Sequence, residues 1–181
     1  MAGVLHEPWR RGQVGLVNAF GAGVADDKLV HAYVEDMIRF YLDQEPLVRS
    51  VRTYDLAVPG VLERVLGHVE DLVIKPRDAS GGHGVLIGPR ADEEDCLAAA
   101  DDVRRRPDGY VAQELVHLSR HPTVVDGRLE PRHVDLRVFV FLAGEDAAVL
   151  AGGLTRVALD AGALVVNSSQ NGGGKDTWVV G

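Results

Sequence analysis

Residues 73–88 read VIKPRDASGGHGVLIG: an apolar pair, Lys75, a loop holding Ser80, Gly81, Gly82, His83 and Gly84, and a second apolar run. The residues after the glycines decide the fold. In a dinucleotide-binding fingerprint the glycines lie between a strand and a helix, so that a pyrophosphate rests on the helix N-terminus. Here Val85, Leu86 and Ile87 come next, two β-branched residues around a leucine, and Gly88-Pro89 stops them at once. That pattern is strand. A Walker loop is absent too, because Lys175 of the other glycine run, GGGKD, is followed by Asp176 rather than Ser or Thr. The stretch therefore reads as a strand–loop–strand hairpin entered by a lysine. The backbone N–H groups of such a loop can close over phosphate without side-chain obstruction. A plain hairpin with a chance lysine fits this segment equally well.

Outward from the hairpin, QVGLVNAFG reads as a short strand and a glycine-rich turn, and Asp26 or Asp27 as the cap of a helix through DKLVHAYVEDMIRFYLDQ. VRTYDLA is a strand, GVLERVLGHVED a helix preceded by Pro59, and LVIKP a strand closed by Pro76. ADEEDCLAAADDVRRRP is a helix with acid in its first turn and base in its last, matching the macrodipole. YVAQELV is a strand; HVDLRVFVFLAG, AAVLAGGLTRVAL and ALVVNSS form an antiparallel meander; QNGGGKDTWVVG is a loop and a last short strand. The sum is α+β: helices packed on antiparallel sheets in two lobes. The expected divisions are 1–50 (strand, glycine turn and helix), 51–115 (a lobe with the glycine loop) and 116–181 (a second lobe holding the meander).

Composition narrows the function classes. The 181 residues are 46% hydrophobic and 6% aromatic, enough for an aliphatic core. A net charge of −8 argues against nucleic-acid or acidic-membrane surfaces, which need a basic field. Cys96 is the single cysteine, so neither an internal disulfide nor a cysteine zinc site forms, and a half-buried thiol is expected. MAGVLHEPWRRGQ lacks a signal-peptide run and no stretch has the length of a membrane span, which leads to the expectation of a cytoplasmic protein. The seven histidines show no metal-ligand spacing.

Several further residues carry candidate chemistry. Gln113 and Glu114, followed by Leu115, suit a hinge whose backbone pairs an adenine edge while a carboxylate accepts from its amino group or the ribose. Asp135 and Arg137, two apart, share one face of a strand, and the flanking Val134, Leu136, Val138 and Val140 face a core. Such an acid and arginine can hold ribose, metal or phosphate; a solvated ion pair would look the same. Arg156 sits within an apolar strand, a costly place unless it is paired with an anion. Asn167, where an apolar run ends, suits Mg²⁺ or phosphate, or simple turn chemistry.

Taken in order, NAFGAGVADDK, VIKPRDASGGHG, YVAQELV, RHVDLRVFV, GGLTRVAL and VVNSSQNGGGKDTWV resemble the circularly permuted ATP-grasp proteins, the glutathionylspermidine-synthase-like carboxylate–amine ligases. The resemblance runs from about Val14 to Val180. It implies an ATP-grasp fold with the nucleotide cleft between two lobes. It also implies ATP and Mg²⁺ as cofactors, and small-molecule or peptide carboxylate and amine substrates joined through an acyl phosphate. Lys28 and Lys75 then correspond to the phosphate lysines, Ser80–Gly84 to the mobile loop over the phosphates, and Gln113, Glu114 and Leu115 to the adenine hinge. Asp135 and Arg137 correspond to ribose and phosphate contacts, and Arg156 and Asn167 to positions beside the transferred phosphate, with Asn167 and Asp135 as metal ligands. Larger members carry chain before the first motif, with further acidic residues that look like magnesium ligands, and more chain after the last. No acid stands two residues before Asn167, where Val165 lies, so Asp135, Asp176 or a missing segment would supply that ligand. The alternative expectation is a non-catalytic nucleotide-binding module that needs a partner chain or domain for those ligands.

Overall fold

The computed structural model describes residues 2–18, 20–143, 146–164, 166 and 172–180. It is α+β, with two four-stranded antiparallel sheets, and divides into two compact units: residues 1–80 with 84–115, and residues 81–83 with 116–181.

The first unit opens with helix α1 (Ala2–Arg10), two 3₁₀ turns (Ala22–Asp26 and Lys28–Ala32) and α2 (Val34–Leu42). Its sheet contains β1 (Thr53–Asp55), β2 (Leu72–Pro76), β3 (Leu86–Ile87) and β4 (Tyr110–Glu114) in the order β1-β4-β2-β3. Helices α3 (Val61–Leu66) and α4 (Glu93–Arg105) complete it. Strand alternation sorts the side chains by face. Tyr54, Ala112, Ile74 and Leu86 stand in one cross-strand row. With Leu56, Val65, Val69, Leu72, Ala100 and Val103 from the strands and helices, this face forms the core. The acid-first, base-last helix forms as expected, and Asp92 caps it by accepting from the Asp95 N–H at 2.8 Å.

Three expectations are corrected here. QVGLVNAFG forms no strand over its described residues, because no strand pairs with it; Val17 is 96% exposed. The helix expected through residues 27–44 breaks in two, since Tyr33 lies between a 3₁₀ turn and α2. Asp27 caps that turn, accepting from the Leu29 N–H at 2.9 Å. And α1, which periodicity did not single out, occupies the first residues.

The second unit is one meander: β5 (Arg120–Val125), β6 (Arg128–Ala143), β7 (Asp146–Ala158) and β8 (Gly172–Asp176), hydrogen-bonded in sequence order. The third strand of the expected meander is displaced. Ala163, Leu164 and Val166 lie outside any strand, Val165 and 167–169 lie outside the described residues, and the glycine-rich GGGKD pairs with β7 instead. Ladder pairing uses backbone groups alone, so glycines suffice at that edge. The expected core face of β6 is also corrected: Leu136, Val138 and Val140 are each more than half exposed.

Candidate functional site

On the sheet face opposite the first unit's core, two cross-strand rows carry polar groups: Thr53–Gln113–Val73 and Asp55–Val111–Lys75. Lys75 is the second-last residue of the β2 ladder, on the approach to the glycine loop. Its ammonium donates to Gln113 Oε1 at 2.5 Å, Gln113 Nε2 donates to Thr53 Oγ1 at 2.8 Å, and Thr53 Oγ1 donates to the Val51 carbonyl at 3.0 Å. This relay fixes which end of the buried Gln113 amide faces the lysine. YVAQE is an inner strand, flanked by β1 and β2, which is why Gln113 is buried.

Lys28 reaches the same region from its 3₁₀ turn. Its Nζ donates to the Arg77 carbonyl at 3.2 Å and to the Ala79 carbonyl, the backbone leading into the loop. Burial lowers the Lys75 pKa, and the Lys28 charge lowers it further. Two ammonium groups thus share one side of this unit, with only neutral oxygens as hydrogen-bond partners among the described residues. The loop beyond them, Ser80–Gly84, is exposed, and Gly81, Gly82 and Gly84 take positive φ of 67°, 82° and 68°. At Gly84 a Cβ would stand 2.9 Å from Pro76 Cγ, so glycine is required both by conformation and by space.

Sequence reasoning missed Arg77, whose guanidinium holds Asp27 through two hydrogen bonds, Nε to Oδ1 at 3.0 Å and Nη2 to Oδ2, and also donates to the Asp108 carbonyl at 2.8 Å. No local signal reports a pair fifty residues apart in the chain. The bond ties the turn bearing Lys28 to the strand bearing Lys75. It also holds the Asp27 carboxyl at about 2, against an ordinary 3.8, with the Leu29 N–H as the next cause. Because the folded-state value is depressed, the stabilisation is present above the unfolded value and fades as pH falls toward the folded one. The melting-temperature gap between the native chain and Asp27→Asn is therefore expected to be full at pH 6 and to close between about pH 4 and pH 2. A gap unchanged by acid would refute the charge as its source.

A cavity of ≈ 430 Å³ opens beside this pair, lined in part by Asp26, Asp27, Asp78, Asp108, Arg77 and Arg106. Neither lysine lines it, and its carboxylates outnumber its guanidiniums, so it does not suit a polyphosphate.

Glu114 points to the sheet face away from Lys75. Its carboxylate accepts from the Tyr54 hydroxyl at 3.0 Å and lies 3.8 Å from Arg52 Nε, while the guanidiniums of Arg52 and Arg64 sit over the Tyr54 ring. Leu115 is the last residue of the first unit, and Val116 begins the longer of the second unit's two segments.

In the second unit Asp135 and Arg156 stand directly opposite on β6 and β7. Arg156 Nε donates to Oδ1 at 2.8 Å and Nη2 to Oδ2 at 2.5 Å, a two-pronged pair that raises the arginine pKa. Asp135 is thus joined to Arg156 rather than to its strand neighbour Arg137, which is exposed and opposite Leu154. Asn167 lies outside the described residues. Among the described residues no group of three His, Cys, Asp or Glu side chains could hold a metal, and Asp135 is already bound by a guanidinium. The described residues alone do not fit a magnesium site. Cys96 is half-buried, with its thiol pKa raised by burial.

The family described as circularly permuted ATP-grasp type 2 matches residues 1–158. The chain belongs to that family. ATP-grasp proteins generally use ATP and Mg²⁺. The chain is similar to an uncharacterized protein of Synechocystis, 48% identical over 97% of this chain and 37% of that protein. It is 47% identical to an uncharacterized protein of Mycobacterium tuberculosis, over 94% of this chain and 31% of that protein. A protein of Frankia alni named a putative glutamate–cysteine ligase is 47% identical over 94% of this chain and 20% of its own length. The chain therefore spans about a third or less of these relatives. No helix among the described residues is long and apolar enough to cross a membrane.

Proposed function

We propose that the chain is the ATP-binding part of an ATP-dependent carboxylate–amine ligase. The observation that carries this reading is the pair of ammonium groups, Lys28 and a partly buried Lys75, at the entrance to a glycine loop and, among the described residues, without a carboxylate partner of their own. A polyanion is the ligand that compensates such a pair. Lys75 and Lys28 bind phosphates, Ser80–Gly84 covers them with backbone N–H groups, and the backbone around Gln113–Leu115 receives the adenine. Arg137 and Arg156 neutralise charge on the transferred group, with Asp135 orienting Arg156. In the reaction a substrate carboxylate oxygen takes the γ-phosphoryl group, releasing ADP. An amine nitrogen then attacks the acyl carbon, and phosphate leaves as the amide forms and a proton is lost. The residues named do the positioning and charge neutralisation; no serine or cysteine nucleophile is needed.

A thermal melt tests the nucleotide reading. MgATP at ~100 times its dissociation constant is expected to stabilise the native state by roughly 2.7 kcal/mol. Absence of a shift with ATP, MgATP or ADP would sink it. The absence of an acid cluster among the described residues favours one second reading, a nucleotide-binding module whose metal ligands come from a partner domain or chain. Its mark is an ATP shift indifferent to Mg²⁺, with no ADP release on adding any carboxylate.

A further inference from the structure

Beyond Leu154 in β7 and Val134 in β6 the second unit's sheet narrows to two strands. β8 pairs with residues 154–158 of β7, β5 pairs with residues 128–133 of β6, and the Val134 N–H makes the last bond on that side, to the Ser119 carbonyl. From there to the hairpin end, β6 and β7 have only each other among the described residues, and each leaves one outer edge of backbone groups without a strand neighbour. A register shift between Val138 and Val140 separates the two halves of the ribbon.

The side chains of the narrow half are apolar on both faces. Val140 and Leu142 face the same way as their partners Val149 and Ala147; Phe141 and Leu150 face the other. Leu142 is 79% exposed, Val149 66%, Phe141 60%, and Val140 and Leu150 more than half. No charged residue and no proline occurs from Val138 to Ala143 or from Ala147 to Leu154. Soluble edge strands are normally protected by lysine, proline or a covering element, and a strand facing water alternates apolar with polar. A continuous apolar run is the pattern of strands buried on both faces. An apolar patch of this kind marks a surface that is covered in the working protein.

We propose that this ribbon is a central strand pair of a larger sheet, paired at its edges and layered on both faces by the polypeptide that the relatives carry outside the segment they share with this chain. Two features choose that occupant over a second copy. A copy of the ribbon offers one more edge and one more face, whereas two edges and two faces are open among the described residues. The shared segment is 37% of the Synechocystis relative, so most of that protein lies outside it and can supply several covering elements. The proposal concerns the second unit only and does not rest on the phosphate role of Lys28 or Lys75.

The test co-expresses the tagged chain with the Synechocystis polypeptide lying outside the shared segment. Light scattering and amide exchange by mass spectrometry are read with and without that probe. The expected result is a one-to-one complex in which the outer-edge amides of residues 135–142 and 147–153 slow by at least about tenfold, while in the chain alone they exchange freely. Phe141→Asp and Val149→Lys should each prevent the complex. Both residues are exposed, so the melting temperature of the chain alone should not fall. Three results would overturn the proposal: no complex; a homodimer that protects the ribbon without the probe; or a monomer whose ribbon is already protected, meaning that the chain covers it itself.

Discussion

Lys75→Met should erase the stabilisation that ATP gives while leaving the unliganded fold intact or slightly more stable. The ammonium is partly buried, its pKa is lowered by that burial and by Lys28, and its bonded partner is the neutral Oε1 of Gln113 at 2.5 Å. Burial disfavours the charged ammonium, a cost that the folded state bears and the unfolded chain does not. Methionine keeps the apolar stem and removes that cost. Gln113 keeps its bond to Thr53 Oγ1 and stays anchored. With ATP at ~100 times the native dissociation constant, the native chain should gain roughly 2.7 kcal/mol, about 5–10 °C for a chain of this size, and the variant nothing measurable. An undiminished shift in the variant would take Lys75 out of phosphate binding. A variant that melts far below the native chain without ligand would make the lysine structural.

The adjacent residue should behave in the opposite way. Ile74 is 1% exposed, on the other face of β2, between Ala112 and Leu86 across the sheet and in the cluster with Val65, Val69, Ala100 and Val103. Ile74→Ala is expected to cost about 2–5 kcal/mol, because the lost transfer energy is joined by a cavity that packed helices cannot close. Urea denaturation followed by circular dichroism measures it. Below its lowered melting temperature the variant should still bind ATP with near-native affinity, since nothing on the lysine face has changed. A loss under about 1 kcal/mol would mean that the sheet and helices collapse onto the site, and that this core is looser than its burial indicates.

Local chemistry accounts for the elements that are legible in the sequence. The strand–loop–strand hairpin arises from β-branched residues after the glycines; the capped, charge-ordered helix at residues 93–105 arises from its own sequence. Lys28 bonds the carbonyls that lead into the glycine loop and its charge acts on Lys75, and the α+β class with two antiparallel sheets holds. The departures share one cause, which is that pairing is not local. QVGLVNAFG has strand composition but no strand pairs with it. GGGKD has almost no strand propensity, yet it lies at the open edge of β7. The apolar run of β6 predicts a core face, yet Leu136, Val138 and Val140 are each more than half exposed.

The sequence by itself determined the chemical inventory: two lysines and a glycine-rich loop, a strand ending in Gln113 and Glu114, and charged residues within an apolar meander, because residue type and strand period are local properties. Tertiary structure alone decided which charges neutralise one another. It gave Asp135 to Arg156 across the sheet rather than to Arg137, bound Arg77 to Asp27, and turned Gln113 toward Lys75 but Glu114 toward Tyr54. Those choices depend on cross-strand register and on contacts between segments far apart in the chain. A one-residue change of register would exchange every face, and no single segment encodes its partner's register.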